Sequence, residues 1–382
     1  MKLQRNPSVA RLGRRGMNVF NSLGSNYNLG HIWRALTTLN HSNYSQNLIS
    51  YLEKRYQGRA VLLYKNREAI RLGLEMLNLP KDSHVGICAF SCYVVDQAVL
   101  AAGYIPVYLD IDPQTLNFTA DKIPPLKAII VQNTLGYPAN INSIKKFCSK
   151  HNVFLIEDLA HSAGGTYETG AEVGTVGDMT VLSFSQDKSI DAVSGGALII
   201  RHPQIKLATF SFQSISPSKQ LQDRLYPLLS SSVRWLYPTK LGKYWHWLLK
   251  KLHLLSMPID PEDIQLQGLP HWQAKLDLEY FNQLNQINNH RQKIAQIYGN
   301  RLGINLRFPI FVKNRDSLVE FLKKHGIYVS DTWYDTPISP VDLCPNSEHV
   351  SHTIVNLPTH INISALHAQK IIHLVNQWHQ SQ

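Results

Sequence analysis

Short, nearly continuous apolar segments alternate with helical patterns over much of the chain. A helical pattern runs from Asn47 to Leu79, and Val94–Ala102 and Ile141–His151 predict two more helices. Strands buried on both faces of a sheet are predicted at His84–Ala89, Val107–Leu109, Ala128–Val131, Val153–Ile156, Met179–Phe184 and Ala197–Ile200. This alternation favours an α/β fold with a mostly parallel central sheet.

The second half of the chain follows a different pattern. Apolar residues recur at helical spacing over 241–255, while lysines and histidines occupy another face. Beyond residue 266, helices over 274–300, 316–325 and 365–378 alternate with strands over 306–312 and 353–357. Asp316 and Ser364 are predicted helix N-caps. We therefore expect an irregular arm (1–45), a large domain (46–204), a basic, Trp-rich insertion (205–265) and a small α+β C-terminal domain (266–382).

Composition narrows the class of protein. The chain has 382 residues, 44% of them apolar and 17% charged, as in soluble globular proteins. Its four cysteines are too few for a disulfide scaffold, and we find neither a secretory signal nor a membrane-spanning run, so we expect a cytoplasmic protein. The net charge of +11 favours anionic partners, but no nucleic-acid-binding motif accompanies it.

The amphipathic 241–255 segment leaves two alternatives open. A basic helix with aromatic residues can lie in a membrane interface, and we keep peripheral membrane contact through residues 232–255 as one possibility. It can equally pack against its own protein or a partner subunit. The H-x-x-H spacing of His349 and His352 has no accompanying ligand motif, so no metal site is expected.

The densest group of chemically active residues lies between Val153 and Ala197. One predicted strand ends at Asp158, the next ends near Ser183, and Lys188 follows it. Ligands of open α/β sheets bind at the carboxyl ends of the strands, so these three side chains are predicted to share one rim. An amine that can form a Schiff base, a carboxylate for a pyridinium nitrogen and a hydroxyl for a phosphate suit pyridoxal phosphate (PLP).

The order of these motifs resembles that of the DegT/DnrJ/EryC1/StrS aminotransferases, the sugar aminotransferases of PLP fold type I. The family pattern E-D-x-A-[HQ]-x-x-G, G-x-x-G-D, S-F-x-x-x-K and G-G-A is matched at residues 157–164, 174–178, 183–188 and 195–197. Further matches lie at 102–107, 110–112, 136–138 and 355–358, so that the resemblance covers about residues 45–200 and 266–380.

The resemblance implies a role for each matching residue. Lys188 would bond to the cofactor and shuttle the proton, and Asp158 would pair with the pyridine nitrogen. His161 would lie near the ring oxygen, Ser183 would bind the phosphate and Tyr93 would stack on the ring. The resemblance also implies a homodimer with active sites at the interface.

Four departures bear on the substrate more than on the cofactor. The family's phosphate-binding S-G-T-A-A-L segment is replaced by residues 65–70, where Asn66 or Arg67 would supply the contacts. Ser194 replaces a glutamate, and Gln267-Gly268-Leu269-Pro270 replaces an Asn-containing segment. The fourth departure is the insertion at 205–262, which is unusual for the family.

The resemblance implies transfer of an amino group from glutamate to a keto-sugar, with the sugar linked to a nucleotide, in polysaccharide or secondary-metabolite biosynthesis. Two alternatives stay open at this point. A related PLP-dependent sugar dehydratase has histidine in place of the lysine, so Lys188 counts against it. A non-catalytic or membrane-associated binding protein on the same scaffold is the other.

Overall fold

A seven-stranded sheet forms the centre of the molecule. The computed structural model describes residues 18–205, 211–257, 265–299, 301, 303–329 and 336–381. The sheet contains β2 (Arg59–Leu63), β3 (His84–Cys88), β4 (Ile105–Leu109), β5 (Ala128–Val131), β6 (Phe154–Asp158), β7 (Met179–Ser183) and β8 (Gly196–Ile200). Their order is β2-β8-β7-β6-β5-β3-β4. Among these seven strands, β8 alone runs in the direction opposite to the other six. The predicted α/β class with a mostly parallel sheet is confirmed.

Helices cover both faces of this sheet because its strands are apolar on both faces. All four residues of β5 are buried, as are all five of β7 and of β8. Two separate apolar clusters pack against the two faces. The surrounding helices are α2 (Asn43–Tyr56), α3 (Asn66–Met76), α4 (Tyr93–Ala101) and α5 (Ile141–His151).

The C-terminal part forms a smaller α+β unit. β9 (Arg307–Phe311) pairs antiparallel with β11 (Ile354–Pro358), and β10 (Ile327–Tyr328) pairs with β1 (Val19–Phe20). Its helices are α8 (His271–Tyr298), α9 (Arg315–Lys324), α10 (Pro345–Thr353) and α11 (Ala365–Gln380). Ser364 caps α11 as predicted, whereas Asp316 lies inside α9, whose N-cap is Asn314.

Two predicted regions differ from the structure. The arm expected to be irregular contains α1 (Leu29–Thr37), capped by Asn28, and the start of α2; residues 1–17 lie outside the described part. The helical pattern over 47–79 is interrupted by β2, because residues 59–63 pair with β8 at one edge of the sheet. Tertiary pairing here overrides the local pattern.

The insertion consists largely of two helices. α6 (Pro217–Leu236) and α7 (Lys240–Lys251) share a small apolar cluster with Tyr27 and Val193. The helix predicted over 241–255 is therefore present, ending earlier at Lys251. We keep the four-part division of the chain as a proposal.

Glu157 organises the glycine-rich loop that follows β6. Its carboxylate is fully buried and accepts hydrogen bonds from the Tyr167 hydroxyl (2.8 Å) and from the backbone N–H groups of Gly174 (2.7 Å), Val176 (2.7 Å) and Gly177 (2.5 Å). Arg201 lies 3.4 Å from it. Every neighbour is a donor, so only an acceptor on both oxygens fits this position.

The Glu157→Gln substitution should lower the free energy of unfolding by about 3 kcal/mol, because an amide turns two hydrogens toward buried donors and leaves Arg201 without its counter-charge. Urea denaturation measures this change. Glu172→Gln is the matched control: Glu172 is partly exposed and pairs with Arg55 at 2.7 Å, so its loss should cost less than about 1 kcal/mol. Equal destabilisation by the two variants would contradict this account of the loop.

Candidate active site

The carboxyl ends of five strands meet at one cavity. β2, β3, β5, β6 and β7 run in the same direction, so the segments that follow them converge at the same edge of the sheet. The polar residues that line the cavity are Lys65, Asn66, Arg67, Ser91, Gln132, Asp158, His161, Ser183, Ser185 and Lys188. Six of the seven site residues predicted from sequence are among them.

Asp158 is the last residue of β6 and is 2% exposed. Its Oδ1 accepts hydrogen bonds from the backbone N–H of Ala160 (2.9 Å) and from Nδ2 of Asn66 (3.2 Å). Burial raises the pKa of this carboxyl, and the positive charge of Lys188 opposes that rise. A second cationic group at the carboxylate would therefore be favourable.

His161 is held as a neutral ring by its neighbours. Its Nδ1 lies 2.8 Å from Nε2 of Gln132 and 3.2 Å from the backbone nitrogen of Leu135. Because a backbone N–H can only donate, Nδ1 is the acceptor and the ring proton lies on Nε2. Burial, together with the charges of Lys188 and Arg307, lowers the pKa of His161 well below its usual value.

Lys188 lies in the loop after β7 and is 8% exposed. Its backbone carbonyl accepts a hydrogen bond from Nδ2 of Asn26 (2.9 Å), and the same amide donates to Asp191 Oδ2 (3.0 Å). The Tyr27 hydroxyl donates to Asp191 Oδ1 at 2.6 Å. The N-terminal segment thus fixes the loop that carries the lysine.

A phosphate-sized group would find donors at the start of α3. Asn66 and Arg67 are the first two residues of this helix, both are buried, and Ser183 ends β7 on the same cavity. Helix N-termini present free N–H groups and partial positive charge to anions. The Asn66 amide is oriented by Asp158, and its Oδ1 has no hydrogen-bond partner among the described residues.

Tyr93 is the one predicted site residue that does not line the cavity. It is 43% exposed at the first position of α4, while Cys92 and Val94 on either side of it do line the cavity. Successive residues of a helix point about 100° apart, so these neighbours can face the cavity while Tyr93 faces another direction. The stacking of Tyr93 on the cofactor ring stays a prediction.

The sequence analysis missed Gln132, Ser91 and Asn26. Gln132 links the Ser91 hydroxyl, which donates to its Oε1, with the ring of His161. Gln132 directly follows β5, and this position at a strand end was an available signal. Asn26 reaches the site from 162 residues away in sequence, and no local pattern marks it.

The donor set at this cavity fits PLP. A buried amine, a buried carboxylate, a neutral imidazole with an Nε2–H donor, and hydroxyl and helix N–H donors match the parts of that molecule. No group of three or more potential metal ligands occurs within the described ranges. The described helices also include none long and apolar enough to span a bilayer.

The model of the DegT/DnrJ/EryC1/StrS aminotransferase family matches residues 40–232. GDP-perosamine synthase of Vibrio cholerae is 26% identical over 324 residues, which cover 76% of this chain and 78% of that protein. The 3-oxo-glucose-6-phosphate:glutamate aminotransferase of Bacillus subtilis is 32% identical over 147 residues, covering 37% of this chain and 32% of that protein.

Solved structures share the fold over nearly the whole chain. The PLP form of Spr1654 from Streptococcus pneumoniae superposes with a TM-score of 0.72 at 17% identity, covering 96% of this chain and 99% of that one. The predicted fold type is confirmed. By sequence, the chain spans only about a third of the length of several curated relatives, between 31% and 39%.

The neutral state of His161 can be tested by nitrogen NMR of histidine-labelled protein. At pH 6.5 an unperturbed histidine is half protonated, whereas His161 should remain neutral with its proton on Nε2, because its folded-state pKa lies well below that pH. His161→Gln identifies the signal by its disappearance. An imidazolium signal for His161 at pH 6.5, or a proton on Nδ1, would refute this assignment.

Proposed function

Because the chain belongs to the DegT/DnrJ/EryC1/StrS aminotransferase family, we propose that it is a PLP-dependent aminotransferase that moves an amino group from glutamate to a keto-sugar. The observation that carries this proposal is the meeting of Lys188, Asp158 and Ser183 at one rim of the sheet. These are an amine, a carboxylate and a hydroxyl, the groups that amino transfer on PLP requires.

Lys188 is the covalent attachment point and the proton carrier. When bound, PLP supplies an electron sink for the negative charge that develops at the substrate carbon. With its amine free, Lys188 would take a proton on Nζ from one substrate carbon and give it to a second atom within its reach.

The remaining residues orient the ring. Asp158 would pair with a protonated pyridine nitrogen. This pairing would offset the free-energy cost of burying the Asp158 carboxylate. His161 would donate its Nε2–H to the ring oxygen. Ser183, Arg67 and the start of α3 would hold the phosphate, and Tyr93 would have to turn toward the cavity to stack on the ring.

The substrate is a phosphorylated or nucleotide-linked keto-sugar, used in polysaccharide or secondary-metabolite biosynthesis. The names of the two relatives support this, since one is a GDP-perosamine synthase and the other transfers from glutamate to a keto-glucose phosphate. The net charge of +11 suits such anionic substrates better than it indicates nucleic acid, for which the sequence has no motif.

The two alternatives fit the site less well. A dehydratase of this family has histidine where this chain has Lys188. A non-catalytic scaffold has no need for a buried lysine, carboxylate and histidine in one cavity, since each of these groups costs folding free energy when removed from water.

A homodimer in the cytoplasm is the assembly we propose. Leu29, Trp33 and Leu39 are 85%, 68% and 80% exposed around α1, an apolar surface that a second subunit could cover. All four cysteines are free thiols, which suits a reducing compartment.

We also propose peripheral membrane contact through residues 232–255. Leu241, Tyr244 and Trp247 form an outward stripe on α7 and are 64%, 61% and 52% exposed. Trp235 lies near them in sequence with 80% exposure, and α7 carries lysines in its last turn. Exposed aromatic and aliphatic side chains beside lysines are typical of helices that lie on anionic bilayers.

The Lys188→Ala variant tests the enzyme proposal. The purified parent protein, reconstituted with PLP, should show an absorption band at about 400 nm and lose this band when glutamate is added. Lys188→Ala should lack both the band and amino transfer, while Lys122→Ala, an exposed lysine, should behave as the parent. Amino transfer by Lys188→Ala at the parental rate would refute the proposal.

Vesicle flotation tests the membrane contact. Vesicles containing phosphatidylserine should carry the parent protein upward at low salt, and Leu241→Ser with Trp247→Ser should reduce the bound fraction by about tenfold, because each exposed apolar side chain contributes to insertion. The control is Leu366→Ser, whose leucine is 52% exposed on α11. Equal flotation of parent and double variant would exclude this surface.

A further inference from the structure

A second cavity of about 450 Å³ lies beside the proposed active site. The insertion, the N-terminal segment and the smaller C-terminal unit all contribute to its walls. Gln186 and Asp187, the two residues immediately before Lys188, also line it. A group bound here could therefore belong to a substrate whose other end reaches Lys188.

The insertion is fixed against the lysine loop at this cavity. Nε2 of Gln186 donates to the backbone carbonyl of Ser256 at 2.9 Å. The Ser256 hydroxyl donates to the buried carboxylate of Asp223 at 2.7 Å, and Lys219 donates to Ser256 at 3.1 Å. Ser256 and Gln186 are both almost fully buried. The wall is therefore a packed part of the fold.

Positive charge lines the cavity from two helices. Lys250 lies on α7, and Lys323 reaches the cavity from α9. His246, one turn before Lys250, adds no charge at neutral pH, because burial and the charge of Lys250 lower its pKa. Lys323 pairs with Glu320 at 2.5 Å, whereas no carboxylate of the described residues pairs with Lys250. Arg307, at the start of β9, also lines the cavity, and its charge reaches His161 of the active site.

Three aromatic rings form another wall. Phe20 stacks on Tyr328 with ring centroids 4.6 Å apart, and Tyr237 meets them edge-on at 5.1 Å and 4.8 Å. The three rings come from β1, β10 and the end of the α6 region, so the insertion completes this surface. Aromatic faces beside cations suit a ligand with both a ring and phosphates.

We propose that this cavity binds the phosphate-bearing part of the keto-sugar substrate, with Lys250 and Lys323 as specificity-determining contacts. The inference rests on the proposed aminotransferase function and adds the insertion as the element that selects the substrate. The volume of the cavity falls within the range of about 300–1,000 Å³ typical of small-molecule sites. A nucleoside diphosphate would use both the lysines and the rings, and a sugar monophosphate only the lysines.

Calorimetry on the PLP-loaded enzyme tests this site with UDP, GDP, dTDP and glucose 6-phosphate as probes. At least one probe should bind the parent protein. Lys250→Gln with Lys323→Gln should weaken that binding by roughly a hundredfold, since two charge-assisted contacts are lost. The matched control is Lys251→Gln with Lys324→Gln, which removes the same charge from the next residue of each helix and should change affinity by less than about twofold.

The outcomes separate this inference from the enzyme proposal. Nucleotide binding that Tyr328→Leu weakens identifies a nucleoside diphosphate as the source of the phosphate, and binding of glucose 6-phosphate alone identifies a sugar monophosphate. An intact visible band in both double variants shows that they fold and load PLP. The proposed site is overturned if the parent protein shows that band but binds no probe. It is also overturned if both double variants weaken probe binding equally. If the protein lacks the band but binds a probe through Lys250 and Lys323, only the aminotransferase proposal is overturned.

Discussion

The proximity of Asp158 and Lys188, both nearly excluded from water, constrains the rest of this structure. Each group alone would cost folding free energy in its ionised form, and each makes the ionised form of the other less costly. Asp158 ends β6, and Lys188 lies in the loop that follows the neighbouring parallel strand β7. The surrounding polar residues then serve to hold this pair in register.

The hydrogen bonds that fix the lysine loop come from segments outside the sheet. Asn26 and Tyr27 fix the lysine loop from the N-terminal segment, and Ser256 fixes it from the end of the insertion. The lysine therefore lies between two segments that the large domain does not itself contain. A few hydrogen bonds thus connect both segments directly to the loop that carries the lysine.

Sequence reasoning succeeded where a residue's position depends on strand order alone. Asp158, Ser183 and Lys188 follow apolar runs, and parallel strands bring such ends together whatever the helices do. It failed where position depends on contacts between distant segments: β2 looked helical because its pairing with β8 is not encoded locally, and Asn26 had no pattern at all. Tyr93 shows a third limit, since a residue's place in a motif does not fix the direction of its side chain.

The start of α3 shows how the site accommodates a departure from the family pattern. Where the family has Ser, Gly and Thr, this chain has Lys65, Asn66 and Arg67, and the last two are buried. The Asn66 amide donates to Asp158 and so supports the carboxylate instead of the phosphate. In the proposed site, phosphate binding would fall to Ser183, to the guanidinium of Arg67 and to the helix N–H groups, none of which depends on the replaced hydroxyls. The replacement thus exchanges two hydroxyl donors for the positively charged side chains of Lys65 and Arg67, so that the loss of the S-G-T segment does not argue against PLP.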